Sequence, residues 1–342
     1  MDTAFVELMP FARLVVERFV ALKPGEEALI LTDTRNQEYR GAAAFIQALM
    51  AAVRAHGGEP TLVMYTPRPG QVDEPPRSVA RAMCAANVLF TLPTVPLTET
   101  EAMRGALAAG ARALLFGGAA GAGRDDDMLY RLVTPSVDEL EQVAGLARAI
   151  AGAFARGRRV HLSSARGTDL CLTIGDLDII SMDGRCDRPG MMQFYVPGLV
   201  HAGVTPGSAA GRLVFDTSLA PLGPLSEPVT LTVENGFVVR VEGGREADTW
   251  RQLADDFQDR NVYNVSEFGL GANRRARISG KVVEEEAAYG VAHVGFGTDI
   301  AFRGDVAASW HVDGCLKAAT VEVGGELICQ DGAILLRPEP IS

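Results

Sequence analysis

In the first half of the chain, short unbroken apolar runs take turns with longer stretches whose apolar residues recur every three to four positions. The runs 27–32, 61–65, 87–92 and 111–116 have strand length, and the intervening 39–56, 76–86 and 98–109 carry helical periodicity. Strands buried on both faces show no polar alternation, and when helices separate them they build βαβ units with right-handed crossovers. The pattern predicts an α/β, Rossmann-like parallel sheet. It also predicts an amphipathic helix over 5–22, ended by Lys23-Pro24-Gly25.

A long helix with Ala and Leu on one face, 137–156, precedes the stop signal Gly157-Arg158-Arg159, and beyond it the texture changes. Segments 160–163, 170–174, 211–216, 228–234, 237–242, 319–323, 326–329 and 333–336 read as strands. Turn chemistry such as Glu234-Asn235-Gly236, Gly324-Gly325 and Asp331-Gly332 joins them, and one helix, 246–256, interrupts them. Two domains follow: a Rossmann-like domain over 1–157 and a mostly antiparallel β domain, α+β in class, over 158–342. The second carries the candidate chemistry.

Composition narrows the function. With 342 residues, 47% of them hydrophobic and 22% charged, the chain is an ordinary globular protein long enough for two cores. A net charge of -11 lacks the basic footprint of a nucleic-acid binder, so a small-molecule substrate is expected. Arg13, Glu17 and Arg18 interrupt the first apolar stretch, which makes it neither a membrane span nor a signal peptide. Five scattered cysteines without a CxxC pair suit reduced thiols in the cytoplasm.

The sharpest chemical element is His311-Val312-Asp313. Residues two apart on a strand share a face, so this imidazole and carboxylate can grip one ion. Glu267 lies in the apolar, Gly-rich stretch 264–271 and must be paired, protonated or ion-bound if buried. His293 stands among small residues in 290–297, and glycines let backbone approach a ligand closely. Glu267, His293, His311 and Asp313 are therefore the candidate ligands of a divalent metal. His201, Tyr289 and Trp310, with Phe194 and Tyr195, are candidates for lining a substrate pocket. Glu284-Glu285-Glu286 reads first as a solvated charge run, with Glu286 a candidate general base. Gly117 to Gly123 follows a strand as a phosphate loop would, but Asp125-Asp126-Asp127 would repel a pyrophosphate, which leaves a plain loop.

These motifs carry a resemblance. Ser266-Glu267-Phe268-Gly269-Leu270-Gly271, Gly290-x-x-His293-x-Gly295-x-Gly297, and His311-x-Asp313 followed by Gly324-Gly325 resemble the aminopeptidase T family, the thermophilic metalloproteases, and its leucyl aminopeptidase-like members. The likeness implies a homodimeric metallo-aminopeptidase or amide hydrolase using Zn, Co or Mn. Those peptidases hold two metals, and the position of one further Glu falls here near Val200 or His201, where His201 can substitute. A second branch of the superfamily, the 2,5-dihydroxypyridine 5,6-dioxygenases, uses one Fe(II). Its first ligand resembles a His at the place of Glu267, and its acid/base His corresponds to Glu99, a candidate catalytic residue here. With Glu at 267, the resemblance favours hydrolysis of a small peptide or amide. The alternatives are Fe(II)-dependent ring cleavage and a non-catalytic binding relative.

Overall fold

The apolar runs of the first half form parallel strands, as their lack of alternation predicts. The computed structural model describes residues 3–34, 40–67, 74–94, 97–98, 100–116, 137–195, 197–280 and 282–339. Contacts divide the chain into two units, Met1–Leu140 with Gly184–Val196, and Glu141–Asp183 with Pro197–Ser342. This partition differs from a single border near 157. The helix Val137–Arg156 falls mostly in the second unit, and a short later segment returns to the first.

In the first unit, five parallel strands lie in the order Glu59–Tyr65, Glu27–Asp33, Val88–Thr91, Arg112–Leu115, Met192–Phe194. Strand Glu27–Asp33 shows why both faces are covered. Ala28 and Ile30 join one core with Phe45 and Phe90, and Leu29 and Leu31 join the opposite core with Met83 and Met103. The helices Arg40–Ala55, Arg77–Ala85 and Glu101–Ala108 supply the covering residues. Thr100 caps the last of them, its hydroxyl accepting from the Met103 N–H at 3.1 Å. Arg112 is buried and paired to Glu26 at 2.6 Å. The fifth strand corrects one expectation: Phe194 lies in it, and the next residue, Tyr195, packs on Phe11 and Phe116 at ring distances of 4.9 and 5.3 Å. Tyr195 belongs to this unit's core, and Phe194 packs partly buried against it.

The second unit is a large antiparallel assembly of 14 strands. Helix Val137–Arg156 lays Leu146, Ile150 and Phe154 on it, Phe154 meeting Phe268 at 5.5 Å between rings. The stretch of sheet that matters for function runs Leu199–Val204, Val265–Gly271, Ala292–Gly297, His311–Leu316, four neighbouring strands in that order. Trp250, fully buried from helix Arg245–Asp255, packs behind it on Phe296, Tyr263 and Trp310, and its Nε1–H donates to the Ala220 carbonyl. No helix among the described residues is long and apolar enough to cross a membrane.

Candidate metal centre

Strand register builds the site. Gly269 pairs with His201 on one side and His293 on the other, while Glu267 pairs with Gly203 and Gly295, and Gly295 in turn with Asp313. Since side chains alternate with period two, His201, Glu267, His293, His311 and Asp313 all rise from one face. Beside each donor sits a glycine, which leaves the donor room. A Cβ on Gly295 would stand 2.6 Å from Asp313 Oδ1, 2.8 Å from Glu267 Cβ and 3.4 Å from His311 Cε1. A Cβ on Gly269 would strike the His293 ring.

Glu267 is the hub. Its Oε1 faces His201 Nδ1 at 2.6 Å and His293 Nε2 at 2.9 Å, and its Oε2 faces His311 Nε2 at 3.0 Å. His311 Nε2 lies 3.6 Å from Asp313 Oδ1. Two donor groups therefore share this carboxylate: His201, Glu267 and His293, and Glu267, His311 and Asp313. Exposure grades across them, with side chains 0% exposed at His293, 5% at Glu267, 14% at Asp313 and 30% at His311. The His311 end opens to solvent.

Electrostatics follow from that crowding. Burial opposes ionisation of Glu267, but the charge and hydrogen bond of His201 and the hydrogen bonds of His293 and His311 hold its carboxyl well below the usual range. Burial also works against charging His311, yet the Asp313 charge and the Glu267 hydrogen bond raise it to about 10. Burial pushes Asp313 up as well. Glu286 is pushed well above the ordinary carboxylate value by burial and by the charges of Asp313 and Glu267, with its carboxyl in hydrogen-bond reach of Asp313.

The donor set fits a divalent metal ion. Asp313 Oδ1 is buried without a hydrogen-bond partner among the described residues, the Gly295 cradle keeps a Cβ from the space beside it, and carboxylate and imidazole are ligands for such ions. His311 is oriented as a ligand would be, because its Nδ1–H donates to the Thr298 carbonyl at 3.0 Å and so directs Nε2 to the cluster.

Other expectations change. Glu284-Glu285-Glu286 is no solvated face, since all three are buried. Glu284 accepts from the Arg277 N–H and the Ser279 hydroxyl, and Glu285 from Ser218 and the Gly280 N–H. Tyr289 lies under Arg274, 3.6 Å from guanidinium to ring, and its hydroxyl exchanges hydrogen bonds with Ile334. Trp310 packs on Trp250 and Phe257, and its Nε1–H donates to the Val262 carbonyl. The bonds of these two side chains are to packing partners rather than to the donor cluster. His201, expected at a substrate, is bonded to Glu267 instead. Glu99 and the segment Gly117 to Gly123 lie outside the described residues.

The fold and this face define a two-unit α/β and antiparallel-β protein with a largely buried carboxylate-imidazole cluster that could hold a metal ion. The family of 2,5-dihydroxypyridine 5,6-dioxygenases (NicX) matches residues 15–336, and the chain belongs to it. The 2,5-dihydroxypyridine 5,6-dioxygenase of Pseudomonas putida is 26% identical over 196 residues, 54% of this chain and 56% of that protein. The alignment thus spans little more than half of that relative's length. A solved structure of the 2,5-dihydroxypyridine dioxygenase from Pseudomonas putida superposes with a TM-score of 0.80 at 20% identity, covering 97% of each chain. The AmpT structure from Thermus thermophilus gives 0.65 at 16% identity over 97% of this chain and 99% of that one, a likeness of fold. The metallo-aminopeptidase and amide hydrolase reading drawn from Glu267 is thereby corrected: the family match over most of the chain is to the dioxygenases.

Proposed function

We propose that the protein is a metal-dependent dioxygenase that opens the ring of a hydroxylated pyridine or a closely related small aromatic, with Fe(II) held by Glu267, His311 and Asp313. The observation that carries this reading is the convergence of those three donors, with Asp313 Oδ1 lacking a hydrogen-bond partner among the described residues, in a chain of that family. A redox-active divalent ion, when bound there, brings dioxygen and an electron-rich ring into one coordination sphere.

The chain's own residues prepare that site. Glu267 and Asp313 supply the two carboxylates of this set, and a dication would offset charge on them. The Thr298 carbonyl fixes the His311 tautomer, so its Nε2 lone pair serves as a ligand once the apo proton leaves. His293 is fully buried at the inner end of the cluster, and the partly open His311 end is the side from which a ring would approach.

The test is anaerobic loading with Fe(II), followed by aerobic buffer and 2,5-dihydroxypyridine. Loss of the ring's absorbance with matching oxygen uptake, abolished by His311→Ala, is expected. An iron-loaded protein that leaves hydroxylated pyridines intact and consumes no oxygen refutes the proposal.

A further inference from the structure

Glu267 contacts two histidines through Oε1 and one through Oε2, and the distances on its two sides differ in a way that assigns roles. Two donors about 2.1 Å from one ion, at right angles or wider, stand about 3 Å or more apart. Glu267, His311 and Asp313 meet that condition, at 3.0 and 3.6 Å. His201 Nδ1, 2.6 Å from Glu267 Oε1, does not, and His293 Nε2 at 2.9 Å is at the limit. Those are lengths of charge-assisted hydrogen bonds.

The ring contacts agree. His201 Nε2 and His293 Nδ1 are buried and have no hydrogen-bond partner among the described residues. Each ring thus presents to Oε1 its one partnered nitrogen, Nδ1 of His201 and Nε2 of His293, and its other nitrogen makes no bond that would turn the ring away. Accessibility agrees too. The His293 side chain is 0% and the His201 side chain 13% exposed, whereas the His311 side chain is 30% exposed, so the cluster is most open at the His311 end.

We propose that His201 and His293 are positioning residues that clamp Glu267 Oε1 from neighbouring strands, so that Oε2 alone turns toward a single ion shared with His311 and Asp313. This rests on the metal-site reading above. The clamp makes Glu267 a one-oxygen ligand and leaves the remaining positions of the ion to substrate and dioxygen. Neither histidine touches the ion; both act through the carboxylate.

Co(II) serves as the probe, titrated into chelator-stripped full-length protein with visible absorption as the readout. Wild type takes one Co(II) per chain. His201→Asn places an amide N–H near the position of Nδ1–H, and His293→Gln places one near that of Nε2–H. Both keep the wild-type affinity and spectrum. His201→Ala and His293→Ala still take one Co(II), but about 10–100-fold more weakly and with an altered spectrum. Thermal melts of the metal-free variants establish that they are folded; if an alanine variant is not, the Asn and Gln pair decides. Two Co(II) per wild-type chain, falling to one in the histidine variants, overturns the clamp while leaving the ring-cleavage reading intact. So does wild-type affinity in the alanine variants, or loss of Co(II) by a folded Asn or Gln variant. A wild-type chain that takes neither Co(II) nor Fe(II) refutes the metal-site reading, and the clamp with it.

Discussion

Gly295→Ala tests the cradle on which the metal site depends. The added methyl carbon would lie 2.6 Å from Asp313 Oδ1 and 2.8 Å from Glu267 Cβ, against an ordinary carbon contact of about 3.5 Å. Relief requires these side chains to part by more than half an ångström, beyond the tolerance of about 0.5 Å within which a ligand set stays productive. Overpacking of this kind costs about 1–3 kcal/mol of folding stability. The displaced ligands lower metal affinity by about 10–100-fold, or about 1.4–2.7 kcal/mol. Gly105→Ala is the control. It lies inside helix Glu101–Ala108, and its Cβ would meet only Cys84 Sγ, at 3.4 Å, so it leaves metal affinity unchanged and adds up to about 1 kcal/mol of stability. Competition against a chromophoric chelator and thermal melts with and without metal read both effects. A folded Gly295→Ala protein with wild-type metal affinity would refute the placement of the ion in this cradle.

The Arg112–Glu26 pair gives a pH prediction. Burial opposes ionisation of Glu26, but the hydrogen bond and charge of Arg112 hold its folded value below the ordinary 4.5, so its stabilisation is present above that pH and fades as pH falls through the folded value. Glu26→Gln, which leaves the buried guanidinium unpaired, costs about 3–5 kcal/mol at neutral pH in urea melts, and the difference from wild type shrinks in acid. Trp250→Ala, which removes a fully buried ring from between Phe296, Tyr263 and Trp310, costs about 3–5 kcal/mol in the same assay. Thiol titration of the native protein finds Cys84 and Cys171 reactive and Cys186, Cys315 and Cys329 silent until unfolding, because burial pushes these three thiols up, Cys186 to about 12 and Cys329 to about 11.

Much of the architecture was legible because burial writes itself into local pattern. Strands covered on both faces, such as Val88–Thr91 and Arg112–Leu115, carry short apolar runs, Val88 to Phe90 and Ala113 to Leu115, and the helices between them keep their period. Strand Met192–Phe194 was not legible: it has three residues, and its pairing to Arg112–Leu115 spans the long intervening excursion into the second unit. The Glu284-Glu285-Glu286 run misled because consecutive carboxylates are normally solvated, whereas here backbone N–H groups and serine hydroxyls of other segments satisfy Glu284 and Glu285, a fact of tertiary structure. Four of the five clustered donors, Glu267, His293, His311 and Asp313, were legible in the sequence as candidate ligands. The alternation His201-x-Gly203, Glu267-x-Gly269, His293-x-Gly295 was a readable signal that the donors share one sheet face, and it would have placed His201 beside Glu267 rather than at a substrate. The reaction class was hidden for a different reason. A carboxylate at 267 is a legitimate ligand for hydrolytic and oxidative metals alike, so one donor does not fix the chemistry, whereas similarity extending over residues 15–336 bears on the whole chain.

The central claim is that this carboxylate-imidazole face supports insertion of dioxygen into an aromatic ring. Its most direct test is mass spectrometry of the product formed by Fe(II)-loaded protein from 2,5-dihydroxypyridine under isotopically labelled dioxygen. Both labelled atoms in a ring-opened product are predicted, with Gly295→Ala greatly slowed and His311→Ala inactive. A ring-opened product that carries no label, or turnover undiminished in His311→Ala, would contradict the account.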